Sequence, residues 1–492
     1  MLKSVDTFLN NTTTYRLVLY YLTLLVGAAL LFDIFGVLHY SPLDFLFSLL
    51  VLVAACWAVN TAFAKILSAA TNIESVYITA FILALIINPV APTDAAGVGL
   101  LIIAAAIAMA SKYVLALDEK HPFNPAALGV AVPALLGIGS ASWWVGGNLP
   151  LLPFVLVGGA LVVRKVRRFD LVATFIIVAL VTTVLTAHVP GDLTTIQRAI
   201  LDTPLLFFAF VMLTEPITLP PTRRLRMLYA ALVGIFFAPN IHLGAVYLSP
   251  ELALLLGNVF SFMVSSEGRY TLRLVEKTTP APTIDELVFA SDRRIPFKAG
   301  QYLEFTLPHD KPDLRGNRRY FTIASSPTEE NVRLGVKFYE PTSSFKIALG
   351  RLKLGDTISA SQVAGDFVLP RNPGTKLAFF AGGIGVTPFR AHVQYLMDTQ
   401  QQRDVVLLYA SKPEDIVYQD VFDRARDAFN LKTAYVPAFI DAELIAKEIP
   451  DYAERTFYIS GPPPMVDTTR KALRALGVSR FNIVTDYFPG LA

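Results

Sequence analysis

The chain has 492 residues, 54% of them hydrophobic and 16% charged, with a formal net charge of +3. That length allows two or three domains, and the small charge, without any block of lysine and arginine, excludes an electrostatic nucleic-acid footprint. The single cysteine, Cys56, cannot hold an iron–sulfur cluster or close an internal disulfide and reads as a buried small hydrophobe.

The two halves are unlike. Residues 17–264 are nearly continuous apolar runs, whereas from Gly268 the charge density rises and the alternation of a soluble α/β protein begins. The N-terminus lacks a basic leader and a small-residue cleavage site, so residues 17–36 are expected to be a retained span. At about 20 apolar residues per span, spans are predicted near 17–36, 43–67, 75–90, 97–117, 124–140, 150–164, 170–188, 203–217, 225–242 and 246–264. The third, fifth, sixth and eighth are short enough to be broken or re-entrant. Lysine and arginine gather in alternate loops: Lys3 and Arg16, Lys65, Lys112 and Lys120, Arg164, Lys165, Arg167 and Arg168, then Arg223, Arg224 and Arg226. Arg198 is the exception. Basic loops stay on the cytoplasmic side, which puts both termini and the second half in the cytoplasm.

Two short spans end in similar words, Ile87-Asn88-Pro89-Val90-Ala91-Pro92 and Thr214-Glu215-Pro216-Ile217-Thr218-Leu219-Pro220. They would run in opposite directions, so five plus five spans would form an inverted repeat. Proline-interrupted helices at matching places point to a site between the halves, although proline also ends helices for ordinary reasons. Glu215 is either solvated or paired with Arg223, or it serves a redox or ion role.

His121-Pro122-Phe123-Asn124-Pro125-Ala126-Ala127, together with Leu213-Thr214-Glu215-Pro216-Ile217-Thr218 and Tyr229, resembles the NqrB/RnfD family, membrane components of the sodium-pumping NADH:quinone oxidoreductase and of the Rnf complex. The resemblance spans roughly residues 40–245. It implies a helical component that carries flavin in the membrane and passes electrons between redox centres. That family attaches FMN through threonine in a Ser/Thr-Gly-Ala-Thr tetrapeptide, which is missing here. The corresponding stretch reads Gly139-Ser140-Ala141-Ser142-Trp143-Trp144, so covalent FMN is not expected and a non-covalent second flavin stays open. A haem path, as in ferric reductases and NADPH oxidases, needs histidine pairs on facing helices. His39, His121, His188 and His242 do not suit two stacked sites.

Short β-type runs at 270–275, 302–307, 319–324, 332–339 and 357–360 predict a small antiparallel barrel. From Lys376 a strand at 377–381, a helix at 389–397 and strands at 405–409 and 456–460 predict a parallel α/β sheet with ligands at its strand ends. The expected division is therefore 1–265 membrane domain, 266–372 barrel and 373–492 nucleotide-binding α/β domain.

Three motifs fall in the order of the ferredoxin–NADP reductase superfamily. Arg319-Tyr320-Phe321-Thr322-Ile323-Ala324-Ser325-Ser326-Pro327 resembles its Arg-x-Tyr-Ser/Thr flavin motif, with phenylalanine at the aromatic position. The resemblance gives Arg319 the FAD pyrophosphate, Phe321 the isoalloxazine face and Thr322 a bond to flavin N5, with Tyr320 also in the cofactor-binding set. Taken alone, the same residues read as an amphipathic strand. Pro341-Thr342-Ser343-Ser344-Phe345-Lys346 opens a predicted helix, where Ser343 and Ser344 can meet a phosphate or simply cap it. In Ala381-Gly382-Gly383-Ile384-Gly385-Val386-Thr387-Pro388 the glycines allow a pyrophosphate to approach the backbone. Gly382, Gly383, Gly385, Thr387 and Pro388 are expected there.

Its companion, Tyr458-Ile459-Ser460-Gly461-Pro462-Pro463-Pro464-Met465, resembles the nicotinamide-side Cys-Gly-Pro-x-x-Met motif. Ser460 replaces cysteine, and Gly461, Pro462 and Met465 complete the set. Ser411 and Lys412 follow the second strand, where the family contacts the adenosine ribose. Lys412 suits a 2′-phosphate and Asp415 opposes it, which leans to NADH and leaves NADPH open. The tail Thr485-Asp486-Tyr487-Phe488-Pro489-Gly490 resembles tails that fold back near the flavin, with Phe488 either there or simply packed.

The expectation is a membrane-bound, FAD-dependent NAD(P)H oxidoreductase with Thr322, Ser460 and Phe488 at the reaction centre and no metal. Its electrons pass to a quinone, to a second flavin or to an acceptor across what the resemblance implies is a bacterial plasma membrane. The alternative is a redox-driven or redox-regulated transporter of an ion or flavin.

Overall fold

The computed structural model describes residues 5–6, 8–9, 12–67, 71–116, 121–187, 193–244, 246–265, 268–310, 312–313, 316–436 and 440–486. Lys3, Lys120, His188 and Phe488 lie outside them. The chain divides into two compact units, Met1–Ser265 and Ser266–Phe488.

The first unit is helical: α1 (Thr14–Ile34), α2 (Pro42–Ile66), α3 (Ile73–Ile86), α4 (Ala95–Val114), α5 (Pro125–Leu135), α6 (Leu152–Val166), α7 (Phe169–Thr186), α8 (Leu193–Leu201), α9 (Leu205–Phe207, widening into a π-helical turn at Phe208–Met212), α10 (Arg223–Phe237) and α11 (Pro250–Val264). Side chains set the starts. Thr13, Ser41, Asn72, Asp94 and Asn124 each accept a hydrogen bond from a backbone N–H in the first turn, and Pro42 and Pro125 begin α2 and α5.

Each of the ten predicted stretches contains a helix, but ten full spans are not what forms. Among the described residues five helices are long and apolar enough to cross a membrane: α1, α2, α4, Leu149–Val166 and α7. The pair α8–α9, bent by 58°, would make a sixth. The helices α3, α5 and α11 are shorter apolar pieces. Arg198, the exception among the loop charges, sits on α8, a short amphipathic helix the apolar-run criterion missed.

A distant segment closes the short α3. Ser142 and Trp143 donate their backbone N–H to Ile86 O (2.8 and 3.0 Å), and Val145 donates to Leu85 O at 3.3 Å. The Trp144 indole donates to Ala84 O and Ile87 O at 3.1 and 3.0 Å. Helix-end carbonyls need such donors, and both tryptophans are buried in supplying them. The motif words of the two halves also meet. Asn124 Nδ2 donates to Glu215 Oε2 at 3.0 Å, the Asn124 N–H donates to Asn258 Oδ1 at 2.9 Å, and Asn258 Nδ2 donates to Tyr229 Oη at 3.3 Å. Thr218 donates to Glu215 as well, while Arg223 is paired with Asp170 at 2.6 Å. Packing partners recur: α1 lies on α3, α2 on α4 and α4 on α5, and then α6 on α9, α7 on α10 and α10 on α11.

The second unit begins with an antiparallel sheet of β1 (Tyr270–Ala281), β2 (Ile284–Ser291), β3 (Tyr302–Thr306), β4 (Arg318–Thr322), β5 (Val332–Lys337) and β6 (Thr357–Ala364), in the order β4-β3-β6-β1-β2-β5. Alternating apolar residues of these strands, with Phe345 and Leu349 from α12 (Ser344–Gly350), fill its core. A parallel sheet follows, built from β7 (Leu377–Gly382), β8 (Val405–Ala410), β9 (Lys432–Val436), β10 (Thr456–Ser460) and β11 (Ile483–Thr485), in the order β9-β8-β7-β10-β11. Its helices are α13 (Thr387–Asp398), α14 (Gln419–Phe429), α15 (Ala442–Glu448) and α16 (Pro463–Ala475). The order reverses between β7 and β10, and ligands of such sheets bind outside the strand ends at that reversal.

Candidate active site

Strand alternation divides the β4 motif between two faces. Arg319 lies over the Phe345 ring at 5.3 Å and donates through Nη2 to Asp313 Oδ1 at 2.6 Å. Phe321, on the same face, meets Phe305 edge-on at 5.8 Å and Phe345 at 5.9 Å. Tyr320 and Thr322 point the other way. Tyr320 Oη donates to Gln362 Oε1 at 3.1 Å, and its ring stands edge-on to Tyr302, so it does not join the Arg319–Phe321 group.

Ser343 caps α12 by accepting the Lys346 N–H at 3.3 Å. Ser344 Oγ takes the Asp313 N–H at 2.9 Å and lies 3.0 Å from His309 Nε2. Ser344 therefore holds the loop that also orients Arg319, while Ser343 serves as the helix cap.

The two glycine turns touch each other. A Cβ on Gly385 would lie 2.5 Å from Ser460 O and 2.6 Å from Gly461 N, and one on Gly382 would lie 2.1 Å from Met465 Sδ. Gly385 is thus required by the approach of the β7 and β10 turns. Gly383, at φ +52 with nothing within 4 Å of a Cβ, instead leaves open space in the cradle. Thr387 Oγ1 donates to Ile384 O at 3.2 Å, and Pro388 sits in the first turn of α13. Pro462 caps α16, with Met465 buried behind it.

Thr322 at the end of β4 and Ser460 at the end of β10 converge on a carboxylate that sequence reasoning did not single out. Thr322 Oγ1 and Ser460 Oγ each donate to Asp486 Oδ2 at 3.4 Å, and the Asp486 N–H donates to Ile459 O at 2.9 Å. All three side chains are buried. Burial pushes the Asp486 carboxyl up to about 7, against the lowering effect of the two hydroxyls. Its partners lie 26 and 164 residues away in sequence, so no local motif marks it.

Ser411 donates its N–H to Val436 O at 3.1 Å, and Lys412 is exposed beside it. Asp415, expected beside Lys412, is also engaged on its other side. It is buried towards the barrel, ion-paired with Lys337 at 2.6 Å and accepting from Thr283 Oγ1 at 2.8 Å. The Lys337 ammonium beside it holds its carboxyl below the usual range. With Arg390, which binds Glu329 through both Nη atoms and Ala324 O at 3.2 Å, this pair locks the parallel sheet to the barrel.

Residues 379–471 match the oxidoreductase NAD-binding domain family. The C-terminal half is that of an oxidoreductase. It is similar to the NADH oxidoreductase HCR of Escherichia coli (strain K12), at 28% identity over 44% of this chain and 68% of that protein. It is also similar to the stachydrine N-demethylase reductase subunit Stc4 of Rhizobium meliloti (strain 1021), at 28% over 43% and 65%. A third relative is the phenol 2-monooxygenase reductase component DmpP of Pseudomonas sp. (strain CF600), at 28% over 38% and 56%. The chain thus spans from just over half to about two thirds of their lengths. Among solved structures, Amycolatopsis cytochrome P450 reductase GcoB aligns at TM-score 0.41 and 20% identity, over 45% of this chain and 70% of that one. Ferredoxin-NADP+ reductase from Plasmodium falciparum aligns at 0.40 and 16%, over 45% and 96%.

Proposed function

We propose that the protein is a membrane-bound, FAD-dependent NAD(P)H oxidoreductase whose electrons leave through the helical unit to a quinone. The observation that carries this reading is the meeting of Thr322, Ser460 and Asp486, which joins the flavin-like motif to the nicotinamide-like motif in one buried cluster. The residues fit FAD: a cation at Arg319, an aromatic ring at Phe321 and a hydroxyl at Thr322. They fit a nicotinamide coenzyme at the strand-order reversal, where the 382–385 turn stays open at Gly383. Bound FAD supplies the acceptor for a hydride and hands electrons on.

The chain's own part is binding and proton control. Asp313 orients the Arg319 guanidinium towards a pyrophosphate. Gly385 lets the two turns close, which brings Ser460 to the coenzyme side of the cluster. Asp486 stays neutral below about pH 7, so it holds a proton at Oδ while leaving no charge beside Thr322 and Ser460. Asp415 is ion-paired with Lys337, and Ser411 and Lys412 are left to meet the adenosine ribose, a setting that admits NADPH as well as NADH. The names of the relatives, an NADH oxidoreductase and reductase components of oxygenases, support the same reaction class.

The resemblance of residues 40–245 to the NqrB/RnfD family, together with the five long apolar helices, supports electron passage into a bacterial plasma membrane. The loop charges support a cytoplasmic reductase half. Residues 139–148 do not fit a covalently held second flavin. Their N–H groups and the Trp144 indole close α3, and Cβ atoms on Gly146 and Gly147 would collide with Pro204 and Asp202. A second reading, a redox-linked ion or flavin transporter, is favoured by the recurring packing partners and by the Asn124–Glu215 contact between two broken segments.

The purified full chain should be yellow, and anaerobic NADH or NADPH should bleach it. A protein that stays colourless in excess FAD overturns the proposal. In proteoliposomes, quinone reduction indifferent to sodium favours plain electron transfer, and sodium-dependent turnover favours transport.

A further inference from the structure

We propose that Asp33, in the last turn of α1, is a proton-binding site of the helical unit. It is 4% exposed, and among the described residues neither carboxylate oxygen has a hydrogen-bond partner of ordinary geometry. The backbone N–H that acts on it is that of Tyr40, in the turn that follows α1. The Tyr40 hydroxyl is spent on Asn88 Oδ1 at 2.9 Å.

Three features oppose a bare negative charge at this place. The carboxyl is buried in an apolar unit, where an unpaired charge is costly. It sits at the C-terminal end of a helix, where the macrodipole already presents negative charge. Among the described residues no lysine, arginine or histidine acts on it electrostatically, and Tyr40 is the titratable neighbour that does. The elements packed against α1 are α2, α3, α6 and the 149–151 turn. On α3, Glu74 pairs with Arg16 at the other end of α1, about 25 Å from Asp33 at 1.5 Å per residue. On α6, Arg164 pairs with Asp6 and Lys165 donates to Leu9 O, also beyond the start of α1. On α2, Lys65 lies in the last turn, and the near end carries Asp44, a like charge. His39, in the connecting turn, is exposed.

A metal cation is the other way to neutralise the group, but the oxygens it would need are already engaged. Leu31 O, Phe32 O and Asp33 O accept from Phe35, Val37 and Gly36, and the α3 carbonyls from Ala84 to Ile87 accept from residues 142–145. Sodium in broken-helix sites relies on such carbonyls being open. The proton needs none of them.

Infrared spectra of the full chain in lipid nanodiscs, with aspartate carboxyls carbon-13 labelled, distinguish aspartic acid from glutamic acid and from carboxylate. An Asp486→Asn background removes the other aspartyl carboxyl expected to be protonated at pH 6.5. A labelled acid band should persist there, disappear in Asp33→Asn, and return as an unlabelled band in Asp33→Glu. Absence of any labelled acid band in the Asp486→Asn protein overturns the proposal without needing an Asp33 variant. So does a band that vanishes when sodium chloride replaces potassium chloride. Neither readout depends on hydride transfer, so failure here leaves the reductase reading intact.

Discussion

Burial pushes the Asp486 carboxyl up to about 7, so hydride transfer should carry an inflection near that pH. Asp486→Asn should remove the inflection and slow reduction by on the order of 10²-fold, the scale of a positioned proton-transfer group. Stopped-flow absorbance from pH 5.5 to 8.5 tests this, and an unchanged profile would count against the role. Arg319→Ala should leave the fold intact and weaken FAD retention by about 10- to 100-fold, as expected for the loss of one charge-assisted contact of about 1.5–3 kcal/mol. Flavin content after gel filtration is the measurement. At this scale the sequence shows residue types better than their partners. Arg319, Phe321 and Thr322 are legible as one strand, yet the pleat sends the hydroxyl to the opposite face. There it meets a carboxylate 164 residues away, which no spacing rule anticipates. For Asp415 the converse holds: proximity in sequence to Lys412 does not reveal the Lys337 side chain with which it is ion-paired.

Among the elements, the β7 turn packs directly against the β10 turn. Gly385→Ala would place a methyl 2.5 Å from Ser460 O. The strain should destabilise the half by about 1–3 kcal/mol and raise KM for the coenzyme more than it changes flavin content. Helix α13 is tied to the barrel by His392, whose Nε2 lies 3.1 Å from Ala299 O and 3.0 Å from Phe367 O. Burial pushes this imidazole down to about 4. The native state therefore binds fewer protons than the unfolded chain between about pH 4 and 6.5, and stability falls as pH falls through that window, by on the order of 3 kcal/mol in all. Asp486 acts in the opposite sense: its raised value favours the folded state at low pH, and that advantage fades towards pH 7. The test is accordingly a difference. His392→Gln should lose less thermal stability on acidification from pH 6.5 to 4.5 than the parent, followed by release of flavin fluorescence. The barrel and the parallel sheet were readable because period-two alternation and strand–glycine–helix units are local patterns. The helices were less so: α3 stops early because a segment more than fifty residues later closes its end.

For the whole molecule, the composition boundary near Gly268 and the division after Ser265 rest on the same physics, the change from uninterrupted apolar runs to half-polar alternation. Five spanning-length helices should keep the chain in the pellet after an alkaline carbonate wash and release it only with detergent. Recovery in the supernatant would contradict a spanning assignment.

The protein's three tryptophans, Trp57, Trp143 and Trp144, all belong to the helical unit, and the reductase half has none. Indole emission excited at the red edge therefore reports on the helical unit alone, while a flavin bound as proposed would report on the other unit. Because Trp144 is locked against the end of α3, a shift of its emission band upon adding coenzyme would register, without any label, that a reaction in one half is felt in the other.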